Sequence, residues 1–140
     1  MYKVNRKDAG GSYINAEGEY TVTVMKVEET LDAKGREVCK VTFATEDGSS
    51  IADRFFNQEN VWFRVNQLVA ATNHNVPDGT EVDFLGKKGS YANFLKSMIG
   101  LELTIVVRAE EYDPNGEKKK AYRIKAMKPA VATAPEEKPF

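Results

Sequence analysis

The chain contains one cysteine, Cys39, and one histidine, His74, among its 140 residues. A single cysteine excludes an internal disulfide, and this pair alone cannot supply the four ligands of a structural zinc site. No apolar run approaches the roughly 18 residues of a membrane span, and no apolar segment of a signal peptide follows the polar, basic start at 1–7. These absences predict a cytoplasmic protein without a metal or a membrane partner.

Catalytic signatures are equally scarce. The segment Gly86–Ser90 resembles a phosphate-binding loop, but Gly79 lies too far before Gly86 and Lys88 stands where serine or threonine is required. The aspartates fall on separate segments and form no cluster of the nuclease type. The sequence therefore predicts a protein that is not an enzyme and needs no cofactor.

Alternation of apolar and polar residues is the main pattern that the chain does have. It predicts five strands, separated by turn signals at Gly35, Asp47-Gly48 and Asp113–Gly116. After the third strand the period becomes helical: Asn57 is a candidate helix cap, and a second helix is expected from Ser90 to Gly100. For 80–85 the pattern leaves a short strand and an extended connector open. The predicted strands cover 19–28, 37–45, 50–56, 101–108 and 117–127.

Three strands, a helical segment and two further strands are the order of an oligonucleotide-binding (OB) fold. We therefore predict a mainly β protein, a five-stranded OB-fold barrel with a helical insert between strands 3 and 4. Its predicted organisation is a flexible N-terminal arm over 1–18, the OB-fold domain over 19–128, and a disordered acidic-aromatic tail over 129–140.

The net charge of −1 does not indicate nucleic-acid binding, but the positions of the cations do. An OB-fold binds its ligand on strands 2 and 3 and on the loops joining strands 1–2 and 4–5, and basic residues are found in all of these places. If Phe55 joins Ile51 in the core, Phe56 is exposed beside Arg54; the alternative is that both rings are buried. A second alternative is that the lysines only protect a strand edge from aggregation. The predicted nucleic-acid-binding residues are Lys34, Arg36, Lys40, Arg54, Phe56, Tyr112, Lys118, Lys119, Lys120, Arg123 and Lys125.

The chain ends in acids followed by Pro-Phe, in the segment 135–140. This ending resembles the C-terminal tip of bacterial single-stranded DNA-binding proteins, although it has only two acids and Lys138 separates them from the final Pro-Phe. The resemblance implies that the tip docks replication or recombination proteins and competes with DNA for the barrel. The implied partner-binding residues are Glu136, Glu137, Pro139 and Phe140.

From Gly18 to Met127 the chain also resembles small phage-encoded single-stranded DNA-binding proteins. The resemblance is carried by Gly18–Tyr20, Asp113–Glu117 and Tyr122–Ile124. It implies sequence-independent binding and protection of single-stranded DNA, no cofactor, and a role in phage replication or recombination in the host cytoplasm. A homodimer is left open. Two alternatives remain: an OB-like protein-interaction module, such as a phage assembly or host-directed factor, which the near-zero net charge favours, and an RNA-binding barrel.

Overall fold

The computed structural model describes residues 13–112, 116 and 119–130 of the chain. This part of the chain is mainly β, with five strands, two helices and a short 3-10 turn at Glu59–Val61. In chain order the elements are β1 Gly18–Leu31, β2 Glu37–Ala44, β3 Ser50–Phe56, α1 Phe63–Thr72, α2 Ser90–Lys96, β4 Glu102–Tyr112 and β5 Lys119–Lys128.

The five strands form one antiparallel sheet in the order β3-β2-β1-β4-β5. The long β1 is shared between two neighbours: Gly18 to Thr23 pair with β4, and Thr23 to Leu31 pair with β2. The register shifts between Val24 and Lys26. A bulge of this kind bends a strand and increases its twist, so it curls the sheet around its buried face.

The sheet is open, because no ladder joins its edge strands β3 and β5 within the described residues. This corrects the expectation of a closed barrel, which would require those two edges to pair. The start of β3 is partly covered, since the backbone N–H of Ile14 donates to the carbonyl of Ser50 at 2.7 Å and Tyr13 forms a parallel bridge there. Ile14 is buried in the core, so the predicted arm over 1–18 includes a residue that packs within the folded body.

One hydrophobic cluster connects the sheet and both helices. The sheet contributes the alternate residues predicted for β2 and β4, and the helices contribute residues at helical spacing. Burying each large apolar side chain stabilises the fold by about 1.5–3 kcal/mol, so this cluster is the main stabilising element. Its fully or nearly fully buried members include Val22, Val24, Cys39, Val41, Phe43, Phe55, Val65, Leu68, Tyr91, Leu95, Met98, Leu103, Ile105 and Val107.

Both helices follow β3 and precede β4, but the first helix differs in position from the prediction. It begins at Phe63, and Asn57 does not cap it. Asn57 is buried: its Nδ2 donates to Glu37 Oε1 at 2.7 Å and to the Phe84 carbonyl at 2.8 Å, while its Oδ1 accepts from Trp62 Nε1 at 2.9 Å. These bonds satisfy an amide that would be costly to bury alone, so Asn57 acts as a polar tether between segments.

The segment 80–85 is a connector without strand pairing. Its ring Phe84 packs edge-on against Trp62 and Tyr91, with centroids 5.4 and 5.0 Å apart. Helix α1 packs along β4 and β5, and α2 packs on β1. Within the described ranges, neither helix combines the length and the apolar character that crossing a bilayer requires.

Candidate nucleic-acid interface

A cleft of about 500 Å³ lies along the free edge of β3, between that edge, α1 and β5. Because β3 is an edge strand, side chains from both of its faces border the cleft. Four cations and one acid line it, so we call it the cation cleft. Its lining residues are Lys40, Ala52, Asp53, Arg54, Phe55, Phe56, Val61, Arg64 and Arg123.

Lys40 and Arg54 are direct cross-strand neighbours in the β2–β3 ladder, and both are exposed. Neither forms an ion pair with another described side chain. Cross-strand neighbours lie about 5 Å apart, and like charges at that distance repel each other. An anion placed between them relieves this repulsion, so the pair favours a phosphate.

The two consecutive phenylalanines of β3 lie on opposite faces of the strand. Phe55 lies with Ile51 in the core, and Phe56 lies on the opposite face with Arg54. Phe56 is half-buried and its ring borders the cation cleft. A partly accessible ring beside cations suits a single strand, since bases stack on aromatic rings while cations contact phosphates.

On β5, a bulge changes the environment of two predicted cations. Ile124 pairs with Val107 and Ala126 with Val106, which leaves Lys125 as the extra residue of the ladder. Arg123 Nε and Lys125 Nζ both contact the carboxylate of Glu110, the former at 3.0 Å. One acid therefore partly neutralises two residues predicted to bind phosphate.

In the loop from β1 to β2, the side chain and backbone of Arg36 form hydrogen bonds within the turn. Its Nε donates to Asp32 Oδ2 at 2.8 Å, and the backbone N–H groups of Arg36 and Lys34 donate to Asp32 Oδ1. The backbone hydrogen bond from Arg36 is the main cause that lowers the pKa of Asp32. Lys34 is exposed and forms no ion pair with a described residue, so it is the cation that this loop offers to a ligand.

The two loops that carry predicted cations lie at opposite ends of β1. The β1–β2 turn follows Leu31, which pairs with Glu37, whereas β4 passes Gly18 and continues to its hairpin with β5. At 14 residues and about 3.3 Å per residue, β1 separates these ends by roughly 45 Å of strand, less in a straight line because the strand bends.

The second of these ends carries Tyr112 opposite Lys119 and Glu111 opposite Lys120, all exposed. The predicted set is therefore divided rather than gathered into one groove. Lys40, Arg54, Phe56 and Arg123 border the cation cleft, and Lys125 lies at the β5 bulge outside the lining of that cleft. Lys34 and Arg36 lie at one end of β1, and Tyr112, Lys119 and Lys120 lie at the other. Lys118, Glu136, Glu137, Pro139 and Phe140 lie outside the described residues.

Sequence reasoning missed two charged residues of the cleft, Asp53 and Arg64. They form an ion pair at 2.5 Å between β3 and α1. The Arg64 guanidinium lies 4.9 Å from the centroid of the Phe55 ring. Arg64 directly precedes the buried Val65, which places it at the border of the helix's apolar face. That position in the sequence predicts that Arg64 has a partner elsewhere in the folded protein, but it does not predict that the partner is on β3.

A second cleft, of about 770 Å³, lies on another side of α1. Its lining contains three acids and no cation, together with three aromatic rings, so we call it the acid cleft. Its floor comes from α1 and its rim from the connector before α2. The lining residues are Trp62, Val65, Asn66, Val69, Val76, Pro77, Asp78, Gly79, Thr80, Glu81, Val82, Asp83, Phe84 and Phe94.

Two side chains with reactive groups, Cys39 and Tyr91, are buried and line neither cleft. Burial raises the pKa of the Cys39 thiol to about 11, so it is almost wholly protonated at neutral pH and a poor nucleophile. Burial also raises the pKa of Tyr91, whose hydroxyl donates to the Phe56 carbonyl at 3.2 Å. Among the described residues, no three His, Cys, Asp or Glu side chains are grouped to hold a metal ion.

No protein-family model matches the chain, and no curated protein matches it.

Proposed function

We propose that this chain binds single-stranded DNA with weak sequence preference, as a non-enzymatic protein of phage replication or recombination. The observation that carries the proposal is the combination of Lys40 and Arg54 with the accessible ring of Phe56 in one cleft. Cations without rings would serve any phosphate polymer, and rings without cations would serve an apolar partner. Their combination suits a strand whose bases are unstacked and accessible.

We also propose that the sheet is an OB barrel that is open between β3 and β5. In support, β1 is long, bulged and shared between β2 and β4, which makes it the strand that connects the two halves of such a barrel. The OB-fold is a partly open five-stranded barrel whose ligand lies on strands 2 and 3. The cation cleft borders residues of both strands.

A bound strand would run across the cation cleft, with the loops at the two ends of β1 flanking its path. Lys34 would contact it at one end, and Lys119 and Lys120 at the other. Single OB folds occupy about 4–16 nucleotides, a range compatible with a path that includes both loops.

Fluorescence anisotropy with a labelled oligo-dT of about 15 nucleotides tests the proposal. We expect a Kd in the micromolar range or below that rises with salt. If about four cations contact phosphates, log K should fall with log salt at a slope near −3. No binding even at low salt would end the proposal. An RNA oligomer and a duplex of matched sequence decide between DNA, RNA and double-stranded ligands.

For the C-terminal tip we propose the role that its resemblance implies, docking of a replication or recombination protein. Deletion of 135–140 should leave DNA affinity unchanged or slightly raised, because removing two acids removes competition with phosphates. The same deletion should abolish capture of that partner in pull-down. A clear fall in DNA affinity would contradict this role.

The acid cleft favours a second candidate function, a protein-interaction module without nucleic-acid binding. Its three aromatic rings and its carboxylate rim suit a basic segment of another protein, and the carboxylates would repel DNA. This candidate predicts that the double variant Lys40→Ala, Arg54→Ala leaves partner capture intact. The leading proposal predicts that the same variant loses oligo-dT binding.

A further inference from the structure

Asp53 is an acid in a cleft of cations, and phosphate binding alone does not explain its presence there. It is the sole acid among the nine lining residues, and its charge opposes any phosphate that Lys40 or Arg54 attracts. Its carboxylate is held firmly, since Oδ1 accepts from the backbone N–H of Arg54 at 2.8 Å and Oδ2 pairs with Arg64 at 2.5 Å. A carboxylate fixed in this position therefore has a role other than phosphate binding.

The Asp53–Arg64 pair remains reachable from the cleft. The two side chains are 25% and 27% exposed. A carboxylate has about four acceptor sites and a guanidinium has five N–H donors. Arg64 uses donors toward Asp53 and, at 3.5 Å, toward the Arg54 carbonyl, while its guanidinium carbon lies 4.9 Å from the centroid of the Phe55 ring. Donors and acceptors with a fixed orientation are thus left for a ligand.

A nucleobase edge can use such a pair, whereas a phosphate can only accept hydrogen bonds. Guanine fits best: its N1–H and N2–H groups are adjacent donors for the two carboxylate oxygens, and its O6 and N7 accept from a guanidinium. Adenine, cytosine and thymine each present only one donor group on the corresponding edge. Phe56 lines the same cleft from the other face of β3, so its ring is available to a neighbouring base of the strand.

We propose that Asp53 and Arg64 form a base-edge reader in the cation cleft that favours guanine at one position of a bound single strand. This inference rests on the proposed single-stranded DNA binding and adds a base preference to it. Asp53 accepts from the guanine N–H groups, Arg64 orients that carboxylate and donates to the base, and Lys40 and Arg54 contact the neighbouring phosphates.

The test compares four labelled oligomers of about 15 nucleotides: oligo-dT, and the same oligomer with every third nucleotide replaced by dG, dA or dC. For the full chain we expect the dG oligomer to bind at least threefold more tightly than the other three. Asp53→Asn should bring the four affinities to within twofold of each other, because an amide offers the two guanine N–H groups only one acceptor oxygen. Asp78→Asn, the same charge change in the acid cleft, should keep the dG preference.

Asp53→Glu distinguishes base reading from a role in holding α1 against β3. It keeps the charge and can still pair with Arg64, but it moves the carboxylate by about one methylene, so it should lose the dG preference with little change in Tm. Equal affinities of the full chain for all four oligomers, or a dG preference that survives both Asp53 variants, would overturn the reader while leaving DNA binding in place. Absence of oligo-dT binding would instead remove the proposed function itself.

Discussion

Helix α1 separates two clefts of opposite charge. Val61, just before the helix, and Arg64 face the cation cleft, whereas Val65 and Val69 face the acid cleft. The first cleft is lined by four cations and one acid, the second by three acids and no cation. The net charge of −1 therefore describes neither surface, because the side chains that line the first cleft carry a formal charge of +3 and those that line the second carry −3. Charge at contact distance, not the total, decides what each surface attracts, because salt screens fields beyond about 8 Å.

Both clefts also contain aromatic rings, but the rings are used differently. In the acid cleft, Phe84 packs against Trp62, Tyr91 and Phe94, so its ring is part of a cluster that holds the connector to the helices. In the cation cleft, Phe56 has no ring partner among the described residues and borders open space beside Arg54. This difference indicates that the Phe84 ring stabilises the fold and that the Phe56 ring is available to a ligand.

Reversing charge in the cation cleft should have the largest effect. The double variant Lys40→Glu, Arg54→Glu should weaken oligo-dT binding at least thirtyfold, because the loss of even one charged contact costs about 2 kcal/mol. Lys87→Glu with Lys96→Glu changes the net charge equally at sites outside both clefts, and it should weaken binding less than fivefold. Anisotropy at one fixed salt concentration measures both, and equal losses would mean that total charge governs binding.

Truncating the two rings should separate ligand contact from stability. Phe56→Ala should weaken oligo-dT binding by about 1–3 kcal/mol, the usual contribution of one stacked base. Phe84→Ala should lower the Tm, since it removes the centre of the aromatic cluster, yet leave DNA affinity within twofold. Thermal unfolding by circular dichroism and anisotropy on both variants give the comparison. A Phe56→Ala variant that melts early but binds normally would assign that ring to the core.

Neutralising Glu110 should give the smallest effect, with the opposite sign. Glu110→Gln releases Arg123 and Lys125 from their shared carboxylate, so oligo-dT affinity should rise by about 0.2–1 kcal/mol, the typical strength of exposed ion pairs. Glu102→Gln is the matched control, because Glu102 is an exposed acid of the same strand without an ion pair to another described residue. Equal gains in both variants would show only a general charge effect.

The pairing of Lys40 with Arg54 follows from the sequence pattern. Thr45 N–H donates to the Ser49 carbonyl, which leaves a three-residue loop that ends at Gly48 with φ 93°. A two-residue loop at Asp47-Gly48 would place Lys40 opposite Phe55. The apolar alternation of β2 and β3 excludes that register, because one shift would bring core residues against exposed ones. The faces of β2 and β3 and this cation pair were therefore predictable.

Other features in and around the cleft were not predictable, because they depend on long-range packing. The bulge opposite Val106 and Val107 decides where Lys125 lies, and alternation alone does not place a bulge. The contact between Arg64 and Asp53 requires α1 to lie against the free edge of β3, and neither segment shows this by itself. Asn57 fits the pattern of a helix cap, yet its partners Glu37 and Phe84 are distant in sequence.

The buried position of Cys39 makes its thiol a natural probe of how the structure beside the cation cleft opens. It lies opposite Phe55 in the β2–β3 ladder, directly behind the wall of the cation cleft, and it is the only thiol in the chain. An alkylating reagent reaches this buried thiol only when the structure around it opens, so the labelling rate reports that opening without any engineered probe. A ligand seated on the outer side of the wall would slow this labelling, and one seated in the acid cleft would change it less.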